Sequence, residues 1–460
     1  MSYLANSQWG HMTDVIPNPK LRGGIARDGV AEPILSQDPI AGEQYYSKDY
    51  MQREWDAVWT KVWLIAGMVN QVPLAGDYIT IDIGRESILC SRGTDGRIRA
   101  FYNVCQHRGN RLISTERGSL AGGEFQCAYH GWRYADTGQL NWVYCEEDFP
   151  QGTPCGKRNL AEIPCDTWAG FIWINMDESC ASLQEYLSPV AEQLDSYQMH
   201  NMKRTHWVTL ESDFNWKCVQ DNFNESYHLP YVHPQTLPVM NEHYSGCQFD
   251  MYASGHARML MPGGAPGPQY EGSSDVTFKS LKPDLDFWEL DPEPYRNDLP
   301  SLRLALQRRK RELGQQKGYD FSFYSDEQLT DNYHYTIFPN TSFSMKPDGC
   351  IFLMARPHAT DPTKCWFDMW YLTLFPTGSK EYYSNAMRDW VSIDHQVEHV
   401  QGKVGEVSCG SAIDQDVAIW STQQAGLQSR GYRGDYMPAQ ENRIRFFHDT
   451  INRYIKQFSA

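Results

Sequence analysis

The chain has 460 residues, which is enough for two or three domains and a large core. Its net charge of −16 and isoelectric point near 5.3 produce a field that repels nucleic acid and anionic membranes, so neither is expected as a partner. The 15 Trp and 27 Tyr residues supply ample material for an aromatic-lined pocket.

Targeting signals and disulfide patterns are not visible in the sequence. The first residues, Met1 to Asn6, lack the basic start and apolar run of a secretory signal. No stretch approaches the roughly 18 apolar residues that a membrane span needs. The 12 cysteines lie between Cys90 and Cys409 with no short repeated spacing apart from one pair of clusters, which favours reduced thiols and a metal site. These features predict a soluble cytoplasmic protein.

Short strands separated by turns dominate the chain from about residue 45 to about residue 175. Tyr78–Ile83 has strand periodicity, and Gly93–Gly96 has the composition of a hairpin turn before a returning strand at Ile98–Tyr102. The same pattern recurs around a second turn at Ala135–Gly138. Residues 45–175 are therefore predicted to form a small antiparallel β domain.

The remaining chain, residues 1–44 and 176–460, is assigned to a larger mixed domain. Strands are predicted between Tyr333 and Phe375. Gly255–Pro300 is rich in Pro and Gly and is predicted to be irregular, as a lid or a pocket rim. Helices are predicted at Leu183–Tyr197, Asp213–Tyr227, Pro300–Gly314, Lys380–Gln401, Ala412–Gln428 and Glu441–Phe458. The expected fold class is α+β, with the small β domain followed by an antiparallel sheet surrounded by helices.

Two short motifs in the small domain carry metal-ligand residue types. Cys105-Gln106-His107 and Cys127-Ala128-Tyr129-His130 each follow a predicted strand and precede a turn, so two loops could present four ligands to one point. A structural zinc ion and a [2Fe–2S] centre in which two histidines replace two cysteines fit these ligand types about equally.

The flanking residues favour the cluster. Cys105-Gln106-His107-Arg108-Gly109 and Cys127-Ala128-Tyr129-His130-Gly131-Trp132 resemble the two halves of the Rieske ferredoxin signature. Glycines directly after the ligands would let backbone N–H groups approach cluster sulfurs, and a zinc site needs no such approach. The first constellation is therefore interpreted as a Rieske [2Fe–2S] site.

A second group of metal-ligand residues begins on the predicted helix Asp213–Tyr227. Asp221, Glu225 and His228 are spaced i, i+4 and i+7 opposite an apolar stripe. For an isolated helix, a solvated polar face would be the simpler interpretation. On an unbroken helix His228 and His233 would point roughly 140° apart. A proline three residues before His233 is predicted to end the helix, so that both imidazoles can reach one ion.

The third ligand is sought on the predicted helix Ala412–Gln428. A non-haem Fe(II) site needs two histidines, one carboxylate and open positions. Asp416 lies on the edge of the apolar stripe, whereas Asp414 points more nearly sideways. A buried carboxylate is costly unless it is paired or bound to metal, which favours Asp416. A helix N-terminal charge stabilised by the dipole, or a buried salt bridge, would be the structural alternatives.

The two constellations together resemble the catalytic α subunit of a Rieske non-haem iron oxygenase, also called an aromatic-ring-hydroxylating oxygenase. The resemblance covers the chain from about residue 45 to its end and includes Asn215-Trp216-Lys217, Asp221-Asn222-Phe223-Asn224-Glu225-Ser226-Tyr227-His228, His233-Pro234 and Gln415-Asp416-Val417. The resemblance implies that the cofactors are a [2Fe–2S] cluster and Fe(II). The implied cluster ligands are Cys105, His107, Cys127 and His130, and the implied iron ligands are His228, His233 and Asp416.

The resemblance also implies a path for electrons and a quaternary structure. Glu225 matches the carboxylate that bridges the cluster ligand equivalent to His130 and the iron ligand equivalent to His228. In the family these partners belong to neighbouring subunits of a head-to-tail trimer, so a homotrimer is expected, with or without a β subunit. A ferredoxin, an NAD(P)H-dependent reductase or both would supply the electrons.

The implied function is that of a terminal oxygenase component that uses O2 to hydroxylate or dihydroxylate a hydrophobic aromatic or polycyclic substrate. Leu237–Met240 and Met259–Met261 could line such a pocket. The alternative is a monooxygenase or demethylase acting on a quaternary ammonium or a methoxy or N-methyl substrate held in an aromatic cage. A zinc-stabilised binding protein and a pure electron carrier with an empty second site are the rivals from other classes.

Overall fold

The computed structural model describes residues 28–384, 387 and 389–458. The first 27 residues of the predicted larger domain lie outside the described residues. The chain divides into two compact units. The small unit comprises Gln52–Tyr186 with Pro357–Asp361 and the chain end, and the large unit comprises the segment up to Met51, Leu187–Arg356 and Pro362–Lys456. No helix within the described ranges is long and apolar enough to cross a membrane.

The small unit is built from antiparallel strands in three sheets, with strand orders β5-β2-β3-β4-β9, β6-β7-β8 and β1-β11-β10. The strands are β1 Leu64–Met68, β2 Asp77–Ile83, β3 Glu86–Arg92, β4 Ile98–Tyr102, β5 Arg117–Ser119, β6 Glu124–Gln126, β7 Arg133–Ala135, β8 Leu140–Trp142, β9 Glu162–Ile163, β10 Cys165–Trp168 and β11 Phe171–Ile174. Helices α1 Lys48–Glu54 and α2 Leu183–Leu187 lie where the chain passes between units.

The core of the small unit contains the two candidate cysteine ligands. Alternate residues of β3 and β4 point inward, so that Leu89 lies directly opposite Phe101. These side chains pack in one buried cluster with Phe125, Cys105 and Cys127. This hydrophobic cluster contains residues of the five-stranded sheet and of the β6-β7-β8 sheet. It therefore fixes the positions of the loops that follow β4 and β6.

The large unit is organised around an eight-stranded sheet of order β13-β14-β15-β16-β17-β18-β12-β21. The pairs from β13 to β17 and the β12–β18 pair are antiparallel, and β21 adds one parallel strand beside β12. The strands are β12 Met202–Ser212, β13 Gln248–Met251, β14 Ala257–Met261, β15 Asn332–Ile337, β16 Thr341–Lys346, β17 Gly349–Pro357, β18 Cys365–Leu374, β19 Glu381–Ser384, β20 Asp389–Ser392 and β21 Val400–Lys403.

Helices surround this sheet, and the expected α+β class is confirmed. They are α3 Val190–Leu194, α4 Trp216–Phe223, α5 Leu229–Val232, α6 Ser274–Phe287, α7 Leu299–Leu313, α8 Ser411–Leu427 and α9 Asn442–Phe458. The predicted helix Leu183–Tyr197 is split into α2 and α3 at Pro189, which has no N–H to donate and restricts the residue before it.

The expectation that Gly255–Pro300 is irregular throughout is wrong, although its predicted place at a pocket rim is supported, because residues 265–268 line a cavity. The segment contains β14, all of whose residues are buried within the sheet, and the 14-residue helix α6. The buried face of α6 includes Phe278, Leu281 and Leu285, which form a core cluster with α7. The Pro and Gly residues that suggested a long loop are concentrated between these two elements.

The helix predicted at Lys380–Gln401 is also wrong, because this segment forms the β19–β20 hairpin and β21. In the hairpin Tyr382 pairs with Val391 and Tyr383 pairs with Trp390. Aromatic and β-branched side chains opposite one another stabilise strand pairing, and here they outweigh the helical spacing of the sequence.

One face of the large sheet supports the two helices that carry the second set of candidate ligands. The side chains of His334 and Thr336 on β15 point toward α4, where Phe223 stacks on His334 with ring centroids 6.0 Å apart. Thr336 Oγ1 donates a hydrogen bond of 2.8 Å to Asn224 Oδ1 at the end of α4. Trp420 of α8 packs edge-on against Phe223 at 5.8 Å. The sheet thus fixes α4 and α8 relative to each other.

We expect Gly138→Ala to destabilise the small unit more than Gly96→Ala. Both glycines close hairpin turns, with φ of +81° and +80°. Backbone strain of about 1–2 kcal/mol is therefore common to both substitutions. A Cβ at Gly138 would lie 2.6 Å from Phe101 Cε1, whereas a Cβ at Gly96 meets nothing within 4 Å. Scanning calorimetry should show the larger fall in Tm for Gly138→Ala, and equal falls would contradict this packing.

Candidate metal centres

Two loops of the small unit bring Cys105, His107, Cys127 and His130 together. The Nδ1 atoms of His107 and His130 lie 3.2 Å apart, with the rings edge to face at 4.5 Å. The two cysteines are buried in the core, whereas the two histidines are only half-buried. The loops therefore present a thiol pair on the inside and an imidazole pair toward the surface.

The two loops have the same internal hydrogen bonds. The N–H of Gly109 donates to the carbonyl of Cys105 at 3.0 Å, and the N–H of Gly131 donates to the carbonyl of Cys127 at 2.9 Å. Both glycines adopt positive φ, of +73° and +72°. Glycine is required because the turn uses the left-handed conformation. Their N–H groups close the two loops, and the expected approach of backbone N–H groups to cluster sulfurs stays a prediction.

The sequence did not predict the polar groups that contact the sulfur atoms of Cys105 and Cys127. The hydroxyl of Tyr134 lies 3.3 Å from Cys105 Sγ and accepts the N–H of Gln106 at 3.0 Å. Burial raises the pKa of the Tyr134 phenol, so the hydroxyl stays protonated and can donate to the sulfur. Asn110 Nδ2 lies 3.7 Å from Cys127 Sγ. Tyr134 lies on β7, outside both motifs, so no local spacing could reveal it.

This donor set fits a [2Fe–2S] cluster with two thiolate and two imidazole ligands. The two histidines face each other through Nδ1, and Trp132 stacks on His107 with centroids 4.7 Å apart and planes at 9°. The hydroxyl of Tyr134 and the amide of Asn110 provide the hydrogen bonds to sulfur that are typical around iron–sulfur clusters. A structural zinc site requires the four ligands but not these donors.

The large unit brings His228, His233 and Asp416 together, with one ligand atom of each within 4.8 Å of the others. Asp416 Oδ1 lies 2.8 Å from His233 Nε2 and 3.6 Å from His228 Nε2. The carboxylate of Asp416 is only 2% exposed. Two imidazoles and one carboxylate form the facial set that leaves positions open on a non-haem iron, so the residues fit Fe(II).

Each histidine of this set is oriented by a second side chain. His228 Nδ1 is hydrogen-bonded to the carboxylate of Glu225, and His233 Nδ1 lies 2.9 Å from Gln415 Oε1. With both Nδ1 atoms occupied, both Nε2 atoms turn toward Asp416. Such outer partners fix the tautomer and ring orientation of metal-binding histidines. The sequence identified Glu225 as a bridge and did not assign a role to Gln415.

The local fold explains why the two histidines converge. Helix α4 ends at Phe223, and the four-residue helix α5 begins directly after His228 and ends directly before His233. Pro230 lies in the first turn of α5, where its missing N–H costs no hydrogen bond. The expectation that this proline ends the preceding helix is therefore wrong, although the predicted convergence of the imidazoles is observed.

The acidic residues of α4 and the turn after it are buried, which excludes a solvated polar face. Glu225 is buried, and its carboxylate also accepts the backbone N–H groups of Tyr227 and His228. Asp221 is 6% exposed and is hydrogen-bonded to Tyr45 and His448. These two partners are distant in sequence, so the helical spacing alone could not reveal them.

Two cavities open in the large unit. One of about 1060 Å³ is lined by Arg258, Leu260 and Tyr333 on the sheet face opposite α4. The other, of about 1860 Å³, is lined by Val239 and Met240 together with an aromatic group. That group comprises Phe287, Trp288, Tyr319, Phe321, Tyr382, Tyr383 and Trp390. The predicted lining segments thus contribute to two different cavities.

Comparison with known proteins identifies the family. Residues 199–457 match the family described as ring hydroxylating alpha subunit (catalytic domain), and residues 62–155 match the Rieske [2Fe-2S] domain. The first match covers more than half of the chain, and the second includes all four candidate ligands of the small unit. The chain therefore belongs to the ring-hydroxylating α subunits and contains a Rieske [2Fe–2S] domain.

Curated relatives have different substrates in their names. The chain is 30% identical to the glycine betaine monooxygenase oxygenase subunit of Pseudomonas aeruginosa (strain UCBPP-PA14) over 47% of this chain and 50% of that protein. It thus spans about half the length of that relative. It is 26% identical to the large oxygenase component of the naphthalene 1,2-dioxygenase system of Pseudomonas putida over 73% of this chain and 71% of that protein.

Solved structures share the fold. A quaternary ammonium Rieske monooxygenase in complex with L-carnitine aligns with a TM-score of 0.63 at 20% identity, covering 90% of this chain and 95% of that one. Naphthalene 1,2-dioxygenase with indole bound aligns equally well, with a TM-score of 0.63 at 20% identity over 91% and 92% of the two chains. At this identity the likeness establishes the architecture alone.

We expect Gln415→Leu to weaken Fe(II) binding by about tenfold or more, because His233 loses the partner that orients its ring. Gln423→Leu is the matched control, since both glutamines are exposed on α8 and Gln423 has no role in the set. Anaerobic Fe(II) titration of metal-depleted protein measures both affinities. Unchanged affinity in Gln415→Leu would contradict the orienting role.

Proposed function

We propose that the chain is the terminal oxygenase component of a Rieske oxygenase system. The observation that carries the proposal is the presence of two complete and chemically different donor sets in one chain. The proposed cluster ligands are Cys105, His107, Cys127 and His130, and the proposed Fe(II) ligands are His228, His233 and Asp416. We further propose that residues 45–175 form the cluster domain and that residues 1–44 and 176–460 form the catalytic domain.

When bound, the cluster supplies single electrons and Fe(II) supplies the activation of dioxygen. The side chains around the two groups tune and orient them. Tyr134 and Asn110 donate toward the cysteine sulfurs, and Glu225 and Gln415 hold the imidazoles. The buried charge of Asp416 favours a divalent cation between the imidazoles, because an unpaired carboxylate at this depth would be costly.

The second donor set distinguishes this proposal from its rivals. A pure electron carrier needs no second site, yet three candidate ligands of two types converge in the large unit. A structural zinc site is closed by four protein ligands, whereas the set of His228, His233 and Asp416 has three and leaves positions for small molecules. Both features support an enzyme that acts on O2 and an organic substrate.

We propose that Glu225 carries electrons from His130 of a neighbouring subunit to His228, within a homotrimer. Glu225 is held against His228 by hydrogen bonds, and His130 is half-buried. Exposed tyrosines lie beside both residues in sequence: Tyr129 is 55% exposed and Tyr227 is 53% exposed. Tyrosine is enriched at protein interfaces, which supports an interface at both surfaces.

The proposed electron donors are a ferredoxin, an NAD(P)H-dependent reductase or both, and a β subunit is compatible with the proposal. No disulfide joins the cysteines, all of which fall within the described part of the chain. Reduced thiols are typical of the cytoplasm, which supports that location.

For the substrate we propose a hydrophobic aromatic or polycyclic compound. Its support is the similarity to the large oxygenase component of the naphthalene 1,2-dioxygenase system, which extends over 73% of this chain. The larger cavity is lined by aromatic and aliphatic side chains together with charged ones such as Asp284 and Lys310, and none of the proposed iron ligands lines it. The ammonium groups of Lys317 and Lys310 lie over the rings of Phe287 and Trp288, at 4.9 and 5.8 Å, so these contacts do not distinguish an aromatic from an alkylammonium substrate. A quaternary ammonium substrate is the alternative, supported by the similarity to the glycine betaine monooxygenase subunit.

A turnover screen with a compatible ferredoxin and reductase tests the proposed reaction. Naphthalene and related arenes should yield vicinal cis-diols or phenols that contain oxygen from ¹⁸O2. Glycine betaine and carnitine are the matched probes for the alternative. Oxidation of either compound, detected as released formaldehyde or trimethylamine, with no product from any arene, would contradict the proposed substrate class and support the alternative.

Replacing an iron ligand should separate the two centres. In His233→Ala we expect an unchanged Rieske signal in electron paramagnetic resonance and no oxygenated product, because the small unit retains all four of its ligands. Iron analysis should show loss of the mononuclear iron only. Oxygenation at the wild-type rate in this variant would exclude His233 as an iron ligand.

Replacing the proposed bridge also removes the partner that orients His228, so the variant is measured with its iron site filled by excess Fe(II). For Glu225→Ala we expect reoxidation of the reduced cluster by O2 to slow by about 100-fold, the upper end of the loss typical for a partner of a metal ligand. Stopped-flow absorbance of the cluster measures the rate, and metal analysis measures the occupancy. A normal rate with full occupancy would contradict the bridging role.

A further inference from the structure

Asp221 is a buried carboxylate outside the proposed ligand set. Its Oδ2 accepts the hydroxyl of Tyr45 at 2.5 Å, and its Oδ1 lies 2.9 Å from His448 Nε2. Burial and the charge of Asp221 raise the pKa of Tyr45, so the phenol stays a donor. Three parts of the large unit meet here, since Tyr45 ends the 3₁₀ turn Gly42–Tyr45 and His448 lies on α9.

Both ring nitrogens of His448 have hydrogen-bond partners in this group. His448 Nε2 lies 2.9 Å from Asp221 Oδ1 and 3.1 Å from the hydroxyl of Tyr45, and its Nδ1 lies 3.2 Å from Gln44 Oε1. The side chain of His448 is almost completely buried. Removing one member of such a pair leaves an uncompensated charge in the interior.

This group connects directly to the residue that holds His228. The N–H of Asn224 donates to the carbonyl of Asp221 at 3.1 Å and closes α4. Glu225 is the next residue and places its carboxylate on His228. A shift of Asp221 therefore moves the turn that contains Glu225, with no flexible segment between them to absorb the change.

Strand β15 and helix α9 also stabilise this turn through side-chain hydrogen bonds. Thr336 on β15 donates to Asn224 Oδ1 at 2.8 Å, and Arg443 of α9 donates to Thr336 Oγ1 at 2.8 Å. Helix α9 thus contacts the end of α4 in two ways. His448 contacts Asp221 directly, and Arg443 acts through Thr336.

We propose that Asp221 is a positioning residue for the mononuclear metal site. Its bonds to Tyr45 and His448 fix the end of α4, so that Glu225 holds the His228 imidazole in a metal-binding orientation. The inference rests on the proposed function, since it requires that His228 bind Fe(II). It assigns a role in metal affinity to three residues that do not touch the metal.

Fe(II) affinity is the direct readout, measured by anaerobic titration of the full-length protein after removal of the mononuclear iron. We expect Asp221→Asn to weaken binding by about tenfold, as for other partners of metal-binding histidines, with an unchanged Rieske spectrum. Tyr45→Phe removes only one of the two bonds, so we expect a smaller loss, about threefold. This milder variant keeps the test decisive if Asp221→Asn does not fold.

A paired variant separates positioning from general stability. In Asp221→Asn/His448→Gln, two neutral amides can restore the hydrogen bond without a buried charge, so we expect Fe(II) affinity within about twofold of wild type. Tyr50→Phe is the control, because Tyr50 is hydrogen-bonded to Gln44 and Asn452 in the same region. We expect this control to bind Fe(II) with wild-type affinity.

Three results would overturn the positioning role: wild-type affinity in Asp221→Asn, equal losses in Asp221→Asn and Tyr50→Phe, or no recovery in the paired variant. His233→Ala distinguishes this failure from failure of the proposed function. If His233→Ala binds Fe(II) normally, the proposed metal set is wrong. If His233→Ala loses Fe(II) while Asp221→Asn retains it, only the role of Asp221 is wrong.

Discussion

The carboxylate of Asp416 is buried between two imidazoles, and the rest of the large unit has to compensate the free-energy cost of this burial. A buried carboxylate without a counter-charge costs several kcal/mol or more. Each imidazole has its Nδ1 bound elsewhere, so its Nε2 is directed to the same point as the carboxylate oxygen. A divalent cation at that point would satisfy all three groups at once. Helices α4, α5 and α8 and the turns beside them hold the three side chains in this arrangement.

The two proposed metal sites follow a common physical plan, in which the proposed ligands are contacted by polar neighbours outside the donor sets. In the small unit Tyr134 and Asn110 act on the sulfurs, and in the large unit Glu225 and Gln415 act on the imidazoles. The positions differ in burial, because the thiols lie in the core while His107 and His130 are half-buried. The half-buried imidazoles are therefore the proposed exit for an electron from the small unit.

The sequence predicted those parts of the sites that depend on local spacing. The paired Cys and His motifs lie on loops after short strands, and Asp416 could be selected because a carboxylate at the edge of an apolar helical stripe is buried. The contacts of Asp221 could not be predicted. Its partners Tyr45 and His448 lie 176 and 227 residues away in the sequence, so only the tertiary fold brings them together.

The errors in secondary structure have a similar origin. The segment after residue 380 has helical spacing, but tertiary pairing of Tyr382 with Val391 makes it a hairpin. The segment after residue 255 looks irregular because prolines and glycines flank β14, yet β14 is held in the sheet by β13 and β15. Pairing within a hairpin outweighs local composition in the first case, and long-range pairing outweighs it in the second.

Co-expression of two inactive variants tests the central claim that electrons pass between the cluster of one subunit and the iron of another. One variant, Cys127→Ser, lacks a cluster ligand, and the other, His233→Ala, lacks an iron ligand. Each alone should be inactive. In randomly mixed head-to-tail trimers about a quarter of the subunit contacts join an intact cluster to an intact iron site, so about a quarter of the wild-type oxygenation rate should return. No recovery in confirmed mixed trimers would contradict transfer between subunits.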